Sequence, residues 1–213
     1  MTHTSPAGLL ALHAVRVLGF ADTTAVAQRF NLDATTTNER LLDAQAKGWV
    51  THTAFAGTAG WSLTDRGRRE NERQLASELT ATDRSGEVRD AYDRFVPLNG
   101  VVLRACTDWQ LRPAPGNRLA PNDHTDPTWD GDVLRALHRI TLDLGPLVGR
   151  LAALLTRFQG YDTRFGAALT RAQAGHVAWV DSTDVDSCHR VWFELHEDLV
   201  ATLGIDRRAA AEP

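Results

Sequence analysis

The stretch from Asp22 to Arg69 constrains this chain most, because signals for helix, turn, helix, hairpin and helix follow one another in it without a gap. Asp22 or Thr23 offers a cap to a short helix ending near Phe30, and the polar turn Asn31-Leu32-Asp33 leads into a second helix that starts at Ala34. In that helix Thr37, Leu41 and Ala44 recur at helical spacing, so one face packs and the rest stays free. Gly48 ends it, since a glycine just past a helix supplies the left-handed residue that closes the last turn. Trp49 to Ala54 and Trp61 to Leu63 are short and rich in aromatic and β-branched residues. Separated by Phe55-Ala56-Gly57-Thr58-Ala59-Gly60, they predict a hairpin. Thr64 then caps a further helix through Asp65-Arg66-Gly67-Arg68-Arg69.

From Gly8 to about Leu79 this order resembles the winged helix of the MarR and PadR types of bacterial transcription regulator. The residues that carry the resemblance are Ala46-Lys47-Gly48-Trp49-Val50, closing the second helix, and Leu63-Thr64-Asp65-Arg66-Gly67-Arg68, closing the wing. It covers roughly the first third of the chain and implies a trihelical DNA-binding core. The same core also serves elsewhere as a protein-binding module. One departure is plain: Ala54 to Trp61 holds no charged residue, where such wings usually carry arginine or lysine near the tip.

Charge limits how such a module would bind DNA. Residues 1–80 hold eight basic and eight acidic side chains, so the net charge of −4 falls on the remainder. Phosphate neutralisation dominates DNA affinity, so a neutral module has to rely on a local cluster and on two copies in a homodimer. The cluster we expect is Arg40 and Lys47 on the second helix with Arg66, Arg68 and Arg69 after the wing, opposed by Glu39 and Asp43. Thr35, Thr36 and Asn38 at the helix start are then expected at base edges and the arginines at phosphate.

The rest of the sequence predicts helices. Thr4-Ser5-Pro6 reads as a cap for a helix Ala7 to Leu18, and 207–213 as a frayed end. Arg69 to about Val96 reads as a charged linking helix, broken near Ser85-Gly86, with a thin stripe of Leu75, Leu79, Val88 and Phe95 that offers some dimer contact. Val101 to Trp109 predicts a helix, and the prolines of 112–129 a loop. Asp130 is expected to cap a helix interrupted at Gly145-Pro146, and a last helix is expected from Asp181 or Ser182. The fold class expected is therefore mainly α: an N-terminal winged helix-turn-helix with a small β-hairpin over 1–80, then an all-α bundle over 81–213 for dimerisation or ligand sensing.

Most tryptophans lie in the second half. Helices rich in tryptophan with a few polar groups suit a small-molecule effector pocket, and equally a plain core. The candidate pocket residues are Trp109, Trp129, His189 and Trp192, with Glu194 or His196 orienting a ligand. His189 and His196 are seven residues apart, about 10 Å along a helix, too far to share a zinc ion unaided. Asp186 with His189, completed by Asp123 or His124, is the remaining metal arrangement, while Asp181, Asp184 and Asp186 read more simply as caps. We expect no metal and no cofactor. Cys106 and Cys188 form no CxxC pair, and no nucleophile elbow, P-loop or HExxH motif is present, so catalysis is not expected. Without an apolar run near 18 residues or a signal sequence, we expect a cytoplasmic protein with no membrane partner. The reading is a homodimeric regulator that binds double-stranded DNA. The alternatives are a winged-helix protein-interaction module and a metal-dependent enzyme built on the bundle.

Overall fold

A computed structural model describes residues 2–55 and 57–205. Ala56, at the expected hairpin tip, and 207–213, the expected frayed end, lie outside these residues. The protein is mainly helical with one small two-stranded antiparallel sheet. No helix among the described residues is long and apolar enough to cross a membrane.

Helix α1 spans Ala7–Leu18 and is buried from Leu9 to Val17, His13 and Arg16 included. Its N-cap is Pro6, without a side-chain cap. The Ser5 hydroxyl, expected to help there, instead accepts from Arg157 at 3.2 Å. Helix α2, Thr23–Arg29, is capped by Asp22, whose Oδ1 accepts from the Ala25 amide at 2.8 Å. Helix α3, Ala34–Ala46, is capped in the same way by Asp33 on Thr36, and these bonds hold the Asp33 carboxyl below its usual range. The α3 terminus is a Schellman motif. Gly48, at φ +69°, donates to Gln45 O at 2.8 Å while Trp49 donates to Ala44 O at 2.8 Å.

Strand β1, Val50–Phe55, pairs with β2, Thr58–Leu63, in a register that sets Val50 opposite Leu63 and His52 opposite Trp61. Ala21 adds an isolated bridge on the other side of Trp61, with N–H···O distances of 3.2 and 2.8 Å. Leu12, Val15, Val26, Leu41, Val50 and Trp61 close one core over these elements. Helix α4, Asp65–Thr82, starts on the Thr64 cap. A methyl group at Gly67 would lie 1.8 Å from the Trp49 carbonyl oxygen, so only glycine lets α4 start this close to the hairpin. Asp83, left-handed at φ +52°, ends α4 close to the break expected near Ser85-Gly86. The stripe expected to be available for dimer contact, Leu75, Leu79, Val88 and Phe95, is buried within the single chain.

Helix α5, Ser85–Gln110, runs through Pro97, and α6, Pro127–Leu154, through Gly145-Pro146. The sequence predicts one helix ending near Val96, just before Pro97, and another interrupted at Gly145-Pro146. The carbonyls left without an amide partner belong to Asp93 and Leu142, both exposed residues, where water can take the place of the missing amide, and the helix continues. The cap of α6 is Asp126, accepting from Thr128 and Trp129 at 3.0 and 3.2 Å, and not Asp130. Pro127 then occupies the first helical position, where its missing N–H costs nothing. A 3-10 turn, Thr156–Phe158, precedes α7, Tyr161–Gln173, and the short α8, Ala178–Asp181. Helix α9, Cys188–Leu203, begins later than expected, with Ser187 Oγ accepting from the Arg190 amide at 3.2 Å.

Two compact units result. The first takes residues up to 88, then 153–157 and the chain from 194; the second takes 89–152 and 158–193. The division expected at residue 80 follows a continuous chain, whereas both units are discontinuous: residues 153–157 interrupt the second unit and belong to the first, which the chain rejoins again within α9 at Glu194. In the first unit Ala201 of α9 packs with Leu9, Leu10 and Leu75. In the second, Trp192 stacks on Phe95 at 4.5 Å and meets Phe165 at 6.0 Å.

Candidate nucleic-acid interface

All eight side chains expected to face DNA are exposed: Thr35, Thr36, Asn38, Arg40, Lys47, Arg66, Arg68 and Arg69. They do not form one row. The buried stripe of Thr37, Leu41 and Ala44 fixes the rotation of α3. At about 100° per residue Arg40 and Lys47 then fall within about 20° of one another, with Thr36 beside them, while Asn38 sits about 160° away from Arg40. Thr35 shares the outward side with Asn38, Glu39 and Leu42, the last 51% exposed.

The Arg40 flank faces a half-open pocket of about 530 Å³ lined from α1, α3 and α4. Lys47 Nζ lies over the Trp49 ring, 4.8 Å from its centre. On α4, Arg66, Arg69 and Arg73 recur at i, i+3 and i+7 and share one face. Arg73 grips both oxygens of Glu70 at 2.9 and 2.7 Å, which lowers the Glu70 carboxyl to about 2. Arg68 points elsewhere and approaches Glu197 at 3.5 Å.

The first unit also holds an ionic set that the sequence reading missed. Asp198 is fully buried on α9, lies 3.0 Å from His13 Nε2 and accepts from Arg157 at 3.3 Å. Burial alone would raise its carboxyl, but His13, Arg157 and Arg29 together outweigh that and hold it well below the usual range. Arg157 also bonds Glu78, Ser5 and Thr202. Arg16 bridges Glu72 at 2.9 Å and Glu197 at 2.8 Å, and Arg29 meets Glu194 at 2.9 Å. A signal existed: His13 and Arg16, one turn apart in an otherwise apolar helix, are matched by Glu194, Glu197 and Asp198 on one face of α9.

The candidate pocket residues are divided between the two units. Glu194, in the first unit, is spent on Arg29, and His196 belongs to the same unit. Trp109, Trp129, His189 and Trp192 belong to the second. Their indole N–H groups are used internally: Trp109 donates to Val177 O at 3.1 Å, Trp129 to Asp108 O at 2.6 Å and Trp192 to Asn99 Oδ1 at 2.9 Å. None of the six lines the 530 Å³ cavity or a smaller one, of about 300 Å³, beside Arg94, Asp143 and Arg150.

The polar clusters of the second half are likewise occupied. Asp186 binds Arg164 through both oxygens, at 2.9 and 2.5 Å. His124 Nδ1 meets Asp130 at 3.0 Å and its ring lies 4.5 Å from that of Trp109, while Asp123 accepts from Thr125. Among the described residues no three His, Cys, Asp or Glu side chains gather at metal-binding distance. Cys106 and Cys188 are buried and free, and burial pushes both thiols up to about 12. Compared with protein-family models, curated proteins and solved structures, the chain finds no match in any of the three.

Proposed function

We propose that this protein is a DNA-binding transcription regulator. Its α1, α2 and α3, the β1–β2 hairpin and the start of α4 form a winged helix of the MarR or PadR kind, and two copies read an operator. The observation that carries the reading is the exposed start of α3, with Thr35, Thr36 and Asn38 free of the core, ahead of the exposed cations Lys47, Arg66 and Arg69. The bridge from Ala21 to Trp61 supports it, because this single pair of backbone hydrogen bonds ties the segment between α1 and α2 to the hairpin. Asn38 and Thr35 would meet base edges and the cations phosphate. An electrically neutral reader needs two half-sites, which a homodimer presents about one helical turn of DNA apart.

The exposed Leu42 and Glu39 beside Asn38 favour a second reading, in which this face grips a protein partner instead. Retention of a genomic fragment pool at near-physiological salt, with the retained DNA sequenced, separates the two. The regulator reading expects a palindromic site. A folded protein that enriches no sequence, with or without candidate effectors, contradicts it.

A further inference from the structure

We infer that two copies of this chain associate through the outer face of α5, laid antiparallel across each other about a point between Leu98 and Asn99. Buried Phe95, Val102 and Trp109 fix the rotation of this helix, all within the second unit. At about 100° per residue the opposite side is centred on Asp93, Pro97, Gly100 and Arg104, and all four are exposed. Val96 and Val101 flank that line and are 47% and 43% exposed. With Leu103, at 49%, they form an exposed apolar group along about two turns of one helix.

The charges on this face choose the partner and its direction. Arg89, Asp93, Arg104 and Asp108 follow one another as plus, minus, plus and minus, symmetrically placed about the same point. An antiparallel copy therefore sets Asp93 against Arg104, Arg89 against Asp108, Val96 against Val101 and Pro97 against Gly100, each pair occurring twice about the two-fold axis. A parallel copy sets every charge against its like. Among the described residues Asp93 and Arg104 enter no ion pair. Within α5, an arginine four residues ahead of an aspartate is the weaker order for pairing, because it opposes the helix dipole.

Two features of the face gain a purpose from this contact. Pro97 leaves the Asp93 carbonyl without an amide partner, so Arg104 of the second copy meets two acceptors at Asp93, the carboxylate and the carbonyl oxygen. Gly100 is a poor helix former in the middle of a helix, and a methyl group there would meet nothing within 4 Å among the described residues. The packing of the single chain does not require it, whereas at the crossing it lets two helix backbones approach closely. The need for two copies rests on the regulator reading above; the choice of face rests on α5 alone.

Sedimentation equilibrium of the full chain, without DNA, tests the face with three variants whose changed residues are all exposed. The parent is expected to form a concentration-dependent dimer. Asp93→Arg and Arg104→Asp each place two like-charged pairs across the contact and weaken self-association by about a hundredfold. Mixed in equal amounts, these two variants restore opposite charges at both pairs and recover a dimer of the parent's strength. Gly100→Gln leaves every charge in place and weakens association by about tenfold through bulk at the crossing. Circular dichroism checks that each variant is folded. A monomeric parent, which leaves the face to a different protein, overturns the proposal. So does a dimer indifferent to either charge reversal, or a mixture of the two reversed variants that stays monomeric. Because no DNA is present, a dimer formed through another face overturns this contact alone, and the fragment-pool experiment bears on the DNA reading.

Discussion

In the first unit most of the polar side chains taken out of water are ionisable and joined in pairs, Arg16 with Glu197, and His13 through Asp198 and Arg157 to Glu78. In the second, the buried donors of Trp109 and Trp192 are indole N–H groups, each given one oxygen. The contrast is one of stakes. A buried ion whose partner is removed retains its full desolvation cost, about 3–5 kcal/mol, whereas a lost neutral hydrogen bond costs about 1 kcal/mol. The ionic set also specifies which helices meet, because α9 can present Asp198 and Glu197 to α1 in only one rotation.

The sharpest way to break the contrast is Arg157→Leu, which removes the one guanidinium bonded to both Asp198 and Glu78 and leaves the two carboxylates buried. We expect a loss of about 3–5 kcal/mol, read as a fall in the urea midpoint at unchanged slope. A loss under about 1 kcal/mol would mean that the set relaxes into water.

The next largest effect is on pH. The Asp198 carboxyl is depressed in the folded chain relative to its ordinary 3.8, so its stabilisation is complete above that value. As pH falls the unfolded chain takes up the proton first, and stability drops steadily through and below pH about 4. Glu70, lowered to about 2, adds in the same direction, discounted by its solvent exposure. Urea midpoints between pH 7 and pH 2 should show this fall, and Asp198→Asn should flatten it. An unchanged slope in that variant would move the acid sensitivity elsewhere.

The smallest expected effect belongs to the second unit. Trp192→Phe keeps the stacking on Phe95 and loses the bond to Asn99, for about 1–2 kcal/mol and no change in acid sensitivity. A pH-dependent difference between this variant and the parent would erase the contrast between the units.

What the sequence made legible was local. The Asp22 and Thr64 caps, Gly48 and the limits of α1 are each decided by residues within a turn of one another, and the structure has them as read. Pro97 and Pro146 misled because the cost of a proline inside a helix is partly offset where the carbonyl it orphans lies on an exposed face, and exposure is a tertiary property. The return of α9 to the first unit is likewise non-local. The division of the candidate DNA contacts between two flanks of α3 was already implicit in the Thr37, Leu41, Ala44 stripe, since the phase of the core face fixes the phase of every other residue. The cavity beside Arg40 was not legible, because it needs α4 to pass at a particular distance, set by Gly67 against the Trp49 carbonyl.

The DNA reading is tested most directly by fluorescence anisotropy on a duplex carrying a retained site, titrated across salt concentrations for the parent, Arg69→Gln and Asn38→Ala. The account predicts salt-steep binding whose log–log slope falls by about one in Arg69→Gln, and a loss of sequence preference of about 1–3 kcal/mol in Asn38→Ala. Binding whose salt slope and sequence preference are the same in all three proteins would contradict it.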